Sequence, residues 1–95
     1  MATVRLPASL RRYAGGLERH EVAAGTAGQA LRVLADRHPD LGERLFDGSG
    51  SVRSHLSVVV GDRVLPSGDP AFPVGDDDEV VVLVALAGGA AAPYR

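Results

Sequence analysis

The chain has 95 residues, which suits one small domain, because a second independent core would have too little interior at this length. Apolar residues form 45% of it and charged residues 23%, a balance that favours a folded globule over a disordered chain. The absence of cysteine excludes disulfides, thiolate metal sites and cysteine nucleophiles, and the net charge of −2 argues against general nucleic-acid binding.

The two ends of the chain indicate where in the cell the protein is located. Residues 1–16 carry arginines and no acid, as transit peptides do, but they lack the apolar core of a secretion signal. A first strand followed by a basic turn is the favoured interpretation of this segment. The apolar stretch 80–92 is shorter than the about 20 residues that a membrane-spanning helix needs. We therefore expect a cytoplasmic protein without a membrane segment.

Two strands are predicted near the amino terminus. Residues 3–6 alternate between polar and apolar side chains, the period of a half-buried strand, and Pro7 ends the pattern because proline cannot donate to a ladder. A second, polar strand is predicted over 18–22, after a turn at Gly15 and Gly16.

One main helix is predicted over 27–37. Thr26 and Gln29 have the spacing of a capping box, and apolar residues then recur at helical intervals. Pro39 disfavours helical geometry in the residue before it and so ends the helix. A further short helical turn is expected near 41–46.

The second half of the chain predicts three more strands. Residues 56–65 contain two β-rich runs separated by Gly61 and Asp62, which favour a hairpin turn. The proline-rich connection that follows is expected to be anchored by Phe72. Residues 79–86 are almost continuously apolar, which is typical of a central strand.

This order of elements predicts an α+β fold of the β-grasp, or ubiquitin-like, type. We expect a mixed sheet of four to five strands, with one main helix packed on one face. Residues 1–87 would form the domain, and residues 88–95 would form a flexible tail that carries Gly88 and Gly89.

The chain resembles the MoaD/ThiS family of ubiquitin-like sulfur carrier proteins from Val4 to Gly89. The segments that carry the resemblance are VRLPASLRRYAGG, GTAGQALRVLADRHPDLGERLFD, LSVVVGDRVL and VGDDDEVVVLVALAGG. Within the family, LGERLFD and HLSVVVGD are most similar to the carrier that feeds actinobacterial cysteine synthesis.

The resemblance implies a protein co-substrate and no catalytic residues of its own. Gly89 would be adenylated by an ATP-dependent activating enzyme, converted to a thiocarboxylate, and presented to a sulfur-accepting synthase. The chain itself would bind no cofactor, since the partner consumes the ATP. Glycines suit such a tail, together with Ala87, because larger side chains would obstruct a narrow channel. The alternative is a frayed end rich in small residues.

A peptide bond joins Gly89 to Ala90, so the sequence as it stands offers no carboxylate at Gly89. Residues 90–95 resemble the removable extensions of some family members, which a JAMM-type zinc metallopeptidase cleaves. Cleavage between Gly89 and Ala90 would then generate the active terminus. A vestigial or added end is the alternative.

Docking to the activating enzyme requires an exposed apolar patch. The resemblance implies Leu83, with Val59 on a neighbouring strand as its companion, although ordinary sheet packing also explains Val59. Arg11 and Arg12 are candidates for contact with an acidic partner surface.

No metal site is predicted. The acidic run 76–78 is interpreted as a solvated turn, because it lacks the alternating ligands of a calcium loop. His20, His38 and His55 lack the spacing of a metal site and are interpreted as surface or capping residues.

Two alternatives to the sulfur carrier remain open. The same tail could be conjugated to target amines, which would make the chain a ubiquitin-like protein modifier. The chain could also act as a non-covalent regulatory module whose tail is never cut. The family serves several biosynthetic pathways, and the sequence does not select among cysteine, cofactor and secondary-metabolite synthesis.

Overall fold

The computed structural model of the protein describes residues 1–65 and 71–84. Its strands are β1 (Ala2–Arg5), β2 (Arg19–Val22), β3 (Leu56–Val60), β4 (Arg63–Leu65) and β5 (Glu79–Val84). Its helices are α1 (Ala8–Arg11), followed by a 3₁₀ turn (Arg12–Ala14), then α2 (Ala27–Arg37) and α3 (Pro39–Leu45). The domain boundary predicted at residue 87 lies outside the described residues.

The strands form one mixed five-stranded sheet in the order β2-β1-β5-β3-β4. The central strand β5 runs parallel to β1 and antiparallel to β3. The other two pairs, β1 with β2 and β3 with β4, are antiparallel hairpins. This arrangement confirms the β-grasp fold that the order of elements predicted.

The main helix α2 begins as the capping box predicts. The Thr26 hydroxyl accepts a hydrogen bond from the Gln29 amide at 3.1 Å, and the Gln29 side chain in turn accepts one from the Gly25 amide at 2.9 Å. Leu31 and Leu34 on this helix are fully buried against the sheet. The core is therefore aliphatic, and it includes Val80 from the central strand.

The described residues contain two helices besides α2: α3 corresponds to the short helical turn that was predicted, and α1 was not predicted. Pro39 occupies the first turn of α3, where its missing N–H costs nothing, so the proline that ends α2 also begins the next helix. The two helices approach closely at Gly42, where an added Cβ would lie 3.0 Å from the Cβ of Ala35. In the described parts of the chain, no helix is long and apolar enough to cross a bilayer.

The interpretation of His20 as a surface or capping residue is wrong. Its side chain alternates onto the buried face of β2 and is only 8% exposed. One ring nitrogen, Nε2, lies 3.0 Å from the carbonyl oxygen of Leu17, and the ring meets His38 edge-on, with centroids 5.6 Å apart. His38 does occupy a cap position, at the junction of α2 and α3, while His55 is exposed.

Candidate functional site

The central strand β5 presents its two faces to different surroundings. Val80 and Val82 are fully buried beneath the helices. The alternate residues point to the other face of the sheet, where Val81 is half-buried and Leu83 is 46% exposed. The two faces of the strand are therefore distinct, and Leu83 lies on the face that the described helices leave open.

An apolar patch extends across this open face from β5 to the edge strand. Val59 on β3 pairs with Val81 on one side and with Val64 of β4 on the other. Leu83 pairs with Ser57, which lies two residues before Val59 on β3. Val64 is 66% exposed. We call Val59, Val64, Val81 and Leu83 the open-face patch.

A network of ion pairs borders the open-face patch on the β1 side. Arg5 pairs with Glu18 at 2.9 Å and with Glu79 at 3.5 Å. Arg19 reaches Glu79 at 3.5 Å, and Arg11 reaches Glu18 at 3.5 Å. These arginines therefore already have carboxylate partners within the molecule.

The pKa of Glu18 is lowered within this network. The main cause is the hydrogen bond that the Arg5 guanidinium donates to its carboxylate, which partial burial opposes and the positive charge of Arg11 reinforces. The same pair raises the pKa of Arg5. A carboxyl group whose pKa is lower in the folded state stabilises that state at every pH above its ordinary pKa. This contribution is lost as the pH falls through the lower, folded-state pKa.

Glu18→Gln is expected to lower the melting temperature near neutral pH. The difference from the wild type should shrink as the pH falls from 4.5, the ordinary pKa of the glutamate, through the lower folded value, because wild-type Glu18 then also loses its charge. Thermal unfolding as a function of pH measures this. Glu21→Gln is the control, since Glu21 is exposed and its side chain makes no ion pair within the described residues. If the difference in melting temperature between Glu18→Gln and the wild type grows as the pH falls, the lowered pKa of Glu18 is contradicted.

The predicted docking residues do not all lie together. Leu83 and Val59 share the open face, and Arg11 lines a shallow groove next to Leu83 at the rim of the sheet. The Arg11 side chain also donates to the carbonyl oxygen of Leu6 at 3.1 Å. Arg12 lies apart from this group, with its guanidinium carbon 5.3 Å from the centroid of the Tyr13 ring.

Sequence reasoning missed Val64 as a member of the patch. Its signal was the hairpin register, because the tight turn at Gly61 places Val64 opposite Val59. The predicted tail and cleavage residues, Ala87, Gly88, Gly89 and Ala90, lie outside the described residues. The described part of β5 reaches Val84, which pairs with Leu56 at one end of the sheet. We call this edge the Val84 end.

The comparisons with known proteins agree with this fold. The ThiS family model matches residues 4–89. The sulfur carrier protein CysO of Mycobacterium tuberculosis is 33% identical over 90 residues, which cover 92% of this chain and 97% of that protein.

Solved structures show the same similarity. The crystal structure of Mycobacterium tuberculosis CysO matches with a TM-score of 0.80 and 29% identity, over 90% of this chain and all of that one. CysO in the Amycolatopsis orientalis BexX/CysO complex matches with a TM-score of 0.80 and 28% identity, over 94% and 100% of the two chains. SAMP1 from Haloferax volcanii matches with a TM-score of 0.72 and 28% identity, over 93% and 98%. The chain therefore belongs to the ThiS family.

Proposed function

We propose that the protein is a sulfur carrier whose reactive group is a thiocarboxylate at Gly89. One observation carries the proposal: the family match runs through Gly88 and ends at Gly89. The 33% identity to CysO, which is a sulfur carrier protein, supports the same role. The chain would be consumed and regenerated by separate enzymes, as a co-substrate, with cysteine, a cofactor or a secondary metabolite as the product that receives the sulfur.

The activation step takes place on the partner enzyme. A free carboxylate at Gly89 attacks the α-phosphate of ATP, which releases pyrophosphate and forms an acyl adenylate. A sulfur nucleophile then displaces AMP and leaves the thiocarboxylate. Neither step needs a catalytic group on this chain, because the activating enzyme supplies the nucleotide site, and the carrier supplies a narrow tail.

Activation requires the removal of residues 90–95, because the amide bond between Gly89 and Ala90 leaves no carboxylate to react. The family match ends where this extension begins. A zinc metallopeptidase of the JAMM type is the enzyme class we propose for the cut, and the cut would control when the carrier becomes active.

The open-face patch is the surface we propose for the activating enzyme. Its aliphatic side chains are partly exposed on the open face of the sheet, and their burial would supply association free energy that the short tail lacks. Leu83 lies nearest in sequence to the tail, so contact there would direct the tail toward the nucleotide site.

Conjugation to other proteins is a second candidate function. The likeness to SAMP1, which belongs to the small archaeal modifier proteins, favours it. The chemistry is compatible, because an amine can also attack an acyl adenylate, displacing AMP and forming an amide. The chain has no lysine, so it could not build polymers on its own lysine side chains.

Intact-mass measurement of the protein from its native cells separates these roles. We expect a species that ends at Gly89 and carries sulfur in place of one carboxylate oxygen. Species of higher mass, joined to other proteins, would favour the modifier. A chain that stays uncut through growth under sulfur demand would contradict both and favour the non-covalent regulatory module.

A further inference from the structure

A second surface, a basic cleft, lies at the Val84 end of the sheet. It is formed where α1 and the following turn meet α3, and its lining includes Tyr13, Arg44, Arg53 and His55. His55 directly precedes Leu56, the residue that pairs with Val84. The cleft therefore lies beside the last described point of the chain before the diglycine.

Backbone carbonyls and an aromatic ring hold the arginines of this cleft in place. The guanidinium carbon of Arg44 lies 3.8 Å from the centroid of the Tyr13 ring, and its Nη1 donates to the carbonyl oxygen of Asp40 at 3.2 Å. Arg53 donates twice to the carbonyl oxygen of Glu43, at 3.0 and 2.8 Å. Carbonyl groups orient a guanidinium but do not neutralise its charge.

Arg12 is not part of the cleft lining but flanks it, because it lies over the same Tyr13 ring as Arg44. Within residues 1–65 and 71–84, neither these two arginines nor Arg53 lies within ion-pair distance of a carboxylate. The arginines beside the open-face patch differ, since each of them pairs with Glu18 or Glu79. Among the described residues, Glu43 is the one acid in the cleft lining. In the part of the chain that the structure describes, the cleft lining therefore carries two arginines against one carboxylate, in a chain whose net charge is negative.

We propose that this basic cleft binds an acidic peptide segment of the enzyme that activates the tail. The inference rests on the proposed function, because an enzyme that takes Gly89 into its active site must approach the Val84 end. Guanidinium groups bind carboxylates because their paired N–H groups donate to the two carboxylate oxygens. The Tyr13 ring adds an apolar surface to the cleft lining. Charges at such a rim mainly accelerate association and make it sensitive to salt.

A charged peptide tests the cleft without any enzyme. A fluorescein-labelled hexaglutamate peptide is titrated with the protein at low salt, and hexaglutamine serves as the uncharged control. Arg12→Gln and Arg44→Gln are each expected to weaken hexaglutamate binding about threefold, and the double variant about tenfold. Both side chains are exposed, so the fold should persist, which the melting temperature checks.

Arg63→Gln is the matched control for these variants. Arg63 is also exposed, but it lies on the edge strand β4, and within the described residues it neither lines the cleft nor lies over the Tyr13 ring. Its substitution should leave hexaglutamate binding unchanged. Equal losses in all three single variants, or equal binding of hexaglutamine, would overturn the proposal. A single-stranded oligonucleotide that binds more tightly than hexaglutamate would overturn it in favour of a nucleic-acid partner.

Activation kinetics then test the assignment to the activating enzyme. In the chain of residues 1–89, Arg12→Gln with Arg44→Gln should raise KM for adenylation about tenfold at low salt, leave kcat unchanged and reduce the dependence on salt. An unchanged KM would overturn this assignment. Failure of the wild-type chain 1–89 to react would overturn the proposed function instead, and the peptide titration distinguishes the two cases because it involves no enzyme.

Discussion

The chain of residues 1–89 is expected to acquire a thiocarboxylate when it is incubated with the activating enzyme, ATP and a sulfur donor, whereas residues 1–95 are not. In the longer chain the carbonyl of Gly89 belongs to an amide, which has no anionic oxygen to attack the α-phosphate. We expect the rate to differ by more than about 100-fold, because a displaced reacting group alone costs that much. Intact mass shows the exchange of oxygen for sulfur.

A chain of residues 1–90 is the sharpest control for this experiment. It has a free carboxylate, but on Ala90, one residue beyond the position that the family match assigns. It should therefore remain unreactive, and treatment with the peptidase should restore reaction only if Ala90 is removed. Thiocarboxylation of uncut residues 1–95 would contradict the precursor proposal, because activation would then need no cleavage.

Leu83→Asp in the chain of residues 1–89 is expected to raise KM for adenylation about 30-fold. Truncation of a buried anchor at an interface costs about 2 kcal/mol, and a charge in its place must also be desolvated. Leu83 is 46% exposed in the free protein, so the melting temperature should change little. Steady-state pyrophosphate release measures KM and kcat, and kcat should be preserved, because the tail itself is unaltered.

Leu17→Asp is the matched control, because Leu17 is another exposed leucine, at 60%, and it lies in the turn before β2. Its substitution should leave KM unchanged. Val64→Asp, at the edge of the open-face patch, should have an intermediate effect. Equal KM values for the Leu83 and Leu17 variants would contradict docking through this face, whatever their stabilities.

The buried face of each strand could be predicted from the sequence, because the two-residue period of a strand links neighbouring positions directly. Val80 and Val82 point inward and Leu83 outward, as the alternation predicts. The start of α2 was also predictable, since its cap uses Thr26 and Gln29, which are close in sequence. The two-residue hairpin turn at Gly61 follows from equally local chemistry.

Features that join distant segments could not be predicted in this way. The open-face patch depends on the register between β3 and β5, which are separated by a proline-rich connection. Arg5 and Glu79 meet only because β1 and β5 are parallel neighbours. His20 and His38 lie in different elements, β2 and the end of α2, and their edge-on ring contact forms only when these elements pack together.

The sequence by itself determined the composition of an aliphatic core, the order of the secondary-structure elements and the diglycine within a family pattern. Each of these depends on residues near one another along the chain or on similarity over its whole length. Only the tertiary structure decided that Arg44 and Arg53 line one cleft, with Arg12 over the same Tyr13 ring as Arg44. It also decided that Arg5, Arg11 and Arg19 are paired with carboxylates. The physical reason is that the free charge of a surface depends on which side chains packing brings within a few ångströms, and packing joins segments far apart in sequence.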